Sequence, residues 1–138
     1  MARVLEFIAQ EWLLVSVLLG LASLLMWLEA RKGGAALSTA QLTQMVNDEQ
    51  GVVLDVRDAA EFKAGHIVGA LNIPHAKVQT QLNLLEKHKA DPIIVVCKIG
   101  QHAGMVSKTL KAAGFERVFK LSGGMSEWQG SQLPVVKA

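Results

Sequence analysis

The feature that most limits what this chain can fold into is a run of 17 residues, 12–28, without a single charge. It holds eight Leu, two Val, two Trp, two Ser and one each of Met, Ala and Gly. As a helix it spans ~26 Å, slightly short of a ~30 Å hydrocarbon core, and reaching back through Phe7 and Ile8 closes the gap. Leu and Val at ~−0.3 to −0.6 kcal/mol each outweigh two Ser and a Gly on an insertion scale, and Trp12 and Trp27 sit at the two ends, where indoles favour the interface. A core helix of a globular domain is rarely charge-free for so long. A cleaved signal peptide fits poorly, because Arg3 is followed by Glu6 and Glu11 and no small-residue cleavage site closes the run before Arg31 and Lys32. The sequence therefore reads as an uncleaved anchor over residues 1–32, spanning about 10–28, then a linker over 33–37 and one globular domain over 38–138.

Arg31 and Lys32 follow the span and only Arg3 precedes it, so the positive-inside rule puts the C-terminal body in the cytoplasm. A lone Cys agrees with a reducing compartment and excludes an internal disulfide framework. Ser16, Gly20 and Ser23 form one small-residue stripe, the kind seen where membrane helices touch, although lipid-facing placement is the ordinary reading of so loose a pattern. The body carries 11 basic and 9 acidic residues, scattered, which gives no support to nucleic-acid binding.

Within the body, helical and strand patterns alternate. Ser38 with Gln41 three residues later reads as a capping box opening a helix over 39–48. Residues 52–56 form a β-branched strand, Asp58 caps a brief helix ended by Gly65, and 70–73 is a weaker strand stopped by Pro74. Val78, Leu82 and Leu85 at helical spacing predict an amphipathic helix over 75–88. Residues 93–96, Ile-Ile-Val-Val, read as a strand buried on both faces, followed by a helix from about His102 to Ala113. A strand over 117–121 and a short helix reaching Trp128 complete the series. Such alternation means an α/β fold with a mostly parallel sheet.

Ligands of open parallel sheets bind at the carboxyl ends of the strands, which is where Cys97 stands. Lys98, Ile99, Gly100, Gln101 and His102 run from that strand end to a helix start. If the loop wraps the sulfur, its amides and the helix N-terminus make a cradle for an anion. A free thiol is only ~3% ionised at pH 7, so a nucleophilic Cys needs such surroundings. Gly100 suits a backbone that a β-carbon resists. On spacing alone, an inert core Cys is the commoner outcome.

The odds change with the residues around it. Asp55-Val56-Arg57 resembles the D-x-R of the rhodanese (sulfurtransferase) family. Residues 61–74, EFKAGHIVGALNIP, resemble its E-[FY]-x-x-G-H-I-x-G-A-x-N-[IL]-P stretch. Residues 97–102 resemble its six-residue active loop, and Gly123-Gly124 with Trp128 its closing G-G-x-x-x-W. The resemblance spans residues 38–134 and implies a rhodanese-like domain with a five-stranded sheet flanked by helices. It implies a persulfide relay, in which Cys97 takes sulfane sulfur from thiosulfate, polysulfide or a protein persulfide and passes it to a thiol acceptor, with no cofactor. Many family loops end in Arg where this chain has His102, and a guanidinium is always cationic whereas an imidazole is mostly neutral at pH 7, which weakens the case for dianionic thiosulfate. Phosphatase relatives of the fold carry an Arg one residue further on, where this chain has Ala103, so phosphoryl transfer is not expected.

Asp55 and Arg57 border the expected pocket, and mutual pairing is the simpler role for both. His66 reads as a hydrogen-bonded structural residue and Trp128 as core. The four His lack metal-ligand spacing, so no metal site is expected. Two functions stay open: a membrane-tethered sulfurtransferase working through Cys97, and a tethered interaction module of the same fold with weak or no turnover that binds an integral membrane protein.

Overall fold

A computed structural model of the chain describes residues 1–32 and 34–137, with the side chains of residues 30–32 left out. It contains two compact units, Met1–Arg31 and Lys32–Ala138. The first consists of α1 (Ala2–Gln10) and α2 (Trp12–Lys32), separated at Glu11, whose φ of −107° and ψ of 33° leave the helical region. The expected extension of the span back through Phe7 and Ile8 therefore meets a helix break. Within α2, Trp12–Glu29 is long and apolar enough to cross a membrane, and none of it is buried. The side chains of Arg31 and Lys32, on which the expected orientation rests, lie outside the described residues, as does Gly33 of the expected linker.

The second unit is built on five parallel strands: β1 (Ala35–Leu37), β2 (Val52–Asp55), β3 (Leu71–Asn72), β4 (Ile93–Val96) and β5 (Val118–Leu121), in the order β1-β5-β4-β2-β3. Its helices are α3 (Thr39–Glu49), α4 (Ala59–Ala64), α5 (Ala103–Ala112) and α6 (Gly124–Gly130). β1 corrects the linker: Ala35, Ala36 and Leu37 pair with Phe119, Lys120 and Leu121 of β5. Two consecutive Ala carry no strand signal of their own, and the pairing comes from an open edge on β5 and the burial of Leu37. Ser38 then caps α3: its hydroxyl accepts from the Gln41 amide at 3.2 Å, and its own amide donates to Gln41 Oε1 at 2.9 Å.

β4 lies at the middle of the sheet and has helices on both faces, so all four of its residues are buried. Period-two alternation divides them. Ile93 and Val95, with Cys97 beyond them, join Leu54, Val56, Val106 and Leu110 in one core. Ile94 and Val96 join Leu42, Val53, Met125 and Trp128 in the other.

The predicted helix over 75–88 is corrected. The chain forms two 3-10 segments, His75–Lys77 and Leu82–His88. The Thr80 hydroxyl donates to the Lys77 carbonyl at 3.0 Å, competing with the helical ladder, and Gln81 leaves helical geometry at φ −118°, ψ 24°. Val78 and Leu85 are nonetheless buried and Leu82 packs against the same core, so the apolar spacing located the inward face while misassigning the helix type.

Candidate active site

Cys97 is the first residue after β4, the strand at which the sheet order switches direction. From β4 the chain goes on to β5 on one side, while β2 and β3 were already laid on the other. That crevice is the place where open α/β sheets hold ligands. A cleft of about 310 Å³ opens there, lined by Val56, Arg57 and Asp58 from the end of β2, Glu61 of α4, His75, and Cys97, Lys98, Gln101 and His102.

The loop is wrapped around the sulfur. The Gly100 amide donates to Cys97 Sγ at 2.8 Å, and Gly100 reaches this position with φ +101°, which a side chain would resist. Among the described residues, the amides of Lys98, Ile99, Gln101 and His102 have no protein acceptor, and Lys98, Gln101 and His102 line the cleft. α6 holds the loop from the other side. The Met125 amide donates to the Cys97 carbonyl at 2.8 Å and the Ser126 amide to the Lys98 carbonyl at 2.9 Å. These bonds tie the Cys97 and Lys98 carbonyls to α6. Gly124 makes the approach possible: at φ +58°, a Cβ there would overlap the Cys97 carbonyl oxygen and come within 2.9 Å of the Lys98 carbonyl carbon and oxygen. Gly124 is thus a close contact for the cysteine loop, and Gly123 is the N-cap turn before it.

The other expected site residues take different places. Ile99 is 56% exposed and, like Gly100, is not among the residues that line the cleft. His102 occupies the N-cap position of α5 without a side-chain capping bond, and its ring stacks on that of His75 with centroids 3.9 Å apart and planes 5° from parallel. Arg57 borders the cleft, but its guanidinium is committed. Nη2 donates to Asp55 Oδ2 at 2.7 Å and to the Gly65 carbonyl at 2.8 Å, while Nε donates to Asp55 Oδ1 at 3.0 Å. Asp55 is 1% exposed and lies outside the cleft lining, so the pair braces the loops at the end of β2. Among the described residues Lys98 has no ion pair, and it lines the same cleft as two carboxylates, Asp58 and Glu61.

Sequence reasoning missed His75 as a site residue. Its position directly after Pro74, at the carboxyl end of β3, was the available signal, and its amide donates to the Val56 carbonyl at 3.0 Å. His66 lies elsewhere: Nδ1 is 2.7 Å from the Phe62 carbonyl, which can only accept, so that nitrogen carries a proton, and the ring stacks on Phe62. Trp128 is buried and donates through Nε1 to the Pro134 carbonyl at 3.0 Å. Among the described residues there is no cluster of His, Cys, Asp or Glu able to hold a metal ion.

The fold and the loop together define a parallel α/β domain that presents a single cysteine in an amide cradle. Residues 38–131 match the rhodanese-like domain, and the chain belongs to that family. It is 35% identical over 102 residues to the uncharacterized protein YibN of Escherichia coli (strain K12), covering 73% of this chain and 71% of that one. It is 32% identical over 95 residues to the thiosulfate sulfurtransferase GlpE of Pseudoalteromonas translucida, covering 69% of this chain and 89% of the relative. Among solved structures, a rhodanese-related protein of Thermoplasma volcanium superposes with a TM-score of 0.67 at 25% identity, over 74% of this chain and 97% of that one.

Proposed function

We propose that the chain is a sulfurtransferase that carries sulfane sulfur as a persulfide on Cys97 and is tethered to a membrane by Trp12–Glu29. The observation that carries this reading is the 2.8 Å hydrogen bond from the Gly100 amide to Sγ, in a loop whose other amides have no protein acceptor among the described residues. Preorganised donors of this kind stabilise negative charge on sulfur, both in the attacking thiolate and in the terminal sulfur of the product. Likeness to a thiosulfate sulfurtransferase supports the same reading.

The chemistry runs in two displacements. The Cys97 thiolate attacks the outer sulfur of the donor. A new S–S bond forms at Sγ, and the donor's S–S bond breaks, its electron pair leaving with the displaced group, which is sulfite when the donor is thiosulfate. An external thiolate then attacks the terminal sulfur of Cys97–S–S⁻, the Sγ–S bond breaks, and the Cys97 thiolate is restored as the acceptor departs as a persulfide. Cys97 is the chain's single cysteine, so no internal thiol can resolve the intermediate.

Intact-protein mass spectrometry of the full chain after treatment with thiosulfate or polysulfide tests the proposal, with Cys97→Ser alongside. Sulfur mass added to the wild type and absent from the variant supports it; no addition from either donor refutes it. A tethered interaction module with little turnover is the second reading, favoured by the stripe Ser16, Gly20 and Ser23 on an α2 span with no buried residue. Crosslinking in native membranes, with the stripe replaced by Leu, tests that reading.

A further inference from the structure

α1 is a separate helix with two unlike faces, and the anchoring reading of α2 leaves it without an assigned role. Val4, Leu5, Phe7 and Ile8 are 58%, 65%, 58% and 43% exposed, and no residue of α1 is buried. At about 100° per residue these four fall on one side of the helix, while Arg3, Glu6 and Gln10 gather on the other. In water such a face would be left unpaid for by any packing.

We propose that α1 lies in the plane of the bilayer surface, with its apolar side at the headgroup–acyl boundary of the membrane that α2 crosses. The proposal rests on the tethering reading of α2 and goes beyond it. Three observations select lipid as the occupant. α1 ends one residue before the span Trp12–Glu29 begins, so a membrane-inserted α2 holds α1 at the bilayer rim. The apolar length of α2 already approaches the hydrocarbon thickness, so α1 is not needed to complete the crossing, and inserting it would draw Arg3 and Glu6 into the core. Backbone bonds from the Glu11 amide to the Phe7 carbonyl (2.8 Å) and from the Val15 amide to the Glu11 carbonyl (3.0 Å) keep the junction satisfied, while the dihedral break at Glu11 frees α1 from the axis of α2. Arg3 and Glu6 offset one another on the polar side, so the attachment is driven by apolar burial and needs no anionic lipid. α1 thereby sets the depth of the anchor and keeps it from sliding along the membrane normal.

The test uses the full chain with Cys97→Ser, carrying one nitroxide-labelled cysteine at a time at successive positions from Arg3 to Gln10, with a further label at Leu18, in phosphatidylcholine nanodiscs. The readout is accessibility to oxygen, which partitions into lipid, against an aqueous nickel chelate. The expected ratio is high at Leu18 and oscillates along α1 with the helical period, with maxima on the Val4–Leu5–Ile8 side and minima at Arg3, Glu6 and Gln10. A high ratio at Leu18 with uniformly aqueous or uniformly lipid-exposed values along α1 overturns the interfacial placement alone. An aqueous Leu18 overturns the tethering reading and this inference with it.

Discussion

Gly124→Ala is the substitution that most sharply probes how the active loop is held. The residue sits at φ +58°, where a side chain costs about 1–2 kcal/mol. Its added Cβ would overlap the Cys97 carbonyl oxygen, so α6 and the loop must separate. Separation sacrifices the bonds from the Met125 and Ser126 amides, each worth about 0.5–1.5 kcal/mol net. Strain and lost bonds together give a destabilisation of about 2–5 kcal/mol. For a domain of this size that lowers Tm by at least about 8 °C. Circular dichroism melting of the full chain in detergent measures the first effect, and the rate of sulfur loading on Cys97 measures the second, which should fall as the loop amides lose their aim. Gly130→Ala is the control, because a Cβ there meets nothing within 4 Å; it should melt within about 1 kcal/mol of wild type. A Gly124→Ala protein that melts with the wild type refutes the steric argument. One that is destabilised but loads sulfur at the wild-type rate refutes the claim that α6 shapes the cradle.

Asp55→Ala leaves the buried Arg57 guanidinium without its carboxylate and should cost about 3–5 kcal/mol in chemical denaturation, with a smaller loss for the Arg57–Asp55 double variant. A destabilisation no larger than that of an exposed pair would show that the bracing role is wrong. Ser38→Ala removes the capping hydroxyl of α3 and should cost about 0.5–2 kcal/mol without altering sulfur loading, measured by the same denaturation series. His102→Arg adds a permanent cation to the cleft that Lys98, Asp58 and Glu61 also line, and should raise kcat/KM for thiosulfate. An unchanged or lower value in steady-state assays would mean that loop amides, not side-chain charge, govern donor recognition.

The sheet's interior was legible because a strand buried on both faces has nowhere to place a polar residue. Residues 93–96 announced the centre of the sheet, and with it the strand end at which Cys97 stands. Ser38 with Gln41 announced the start of α3 to the residue. What failed was structure set by partners distant in sequence. Ala35 and Ala36 become strand only because β5 offers an unpaired edge, and no periodicity in a Gly-Gly-Ala-Ala joint can show that. The 75–88 segment kept its apolar spacing but tightened into 3-10 turns, a difference made by local hydrogen bonds at Thr80 and Gln81. The His75–His102 stack joins residues 27 positions apart, and Gly124 reaches back to Cys97 across the length of α5 and β5. Contacts of that kind shape the site and leave no mark in local sequence.

The most direct test of the relay is a chase experiment on the full chain. Thiosulfate bearing a heavy isotope in its outer sulfur is applied, excess donor is removed, and the peptide containing Cys97 is followed by mass spectrometry as a small thiol is added. The account predicts that the heavy sulfur appears on Cys97 and then moves, in equal amount, to the added thiol. Label that never reaches Cys97, or that stays there while the thiol remains unlabelled, would contradict it.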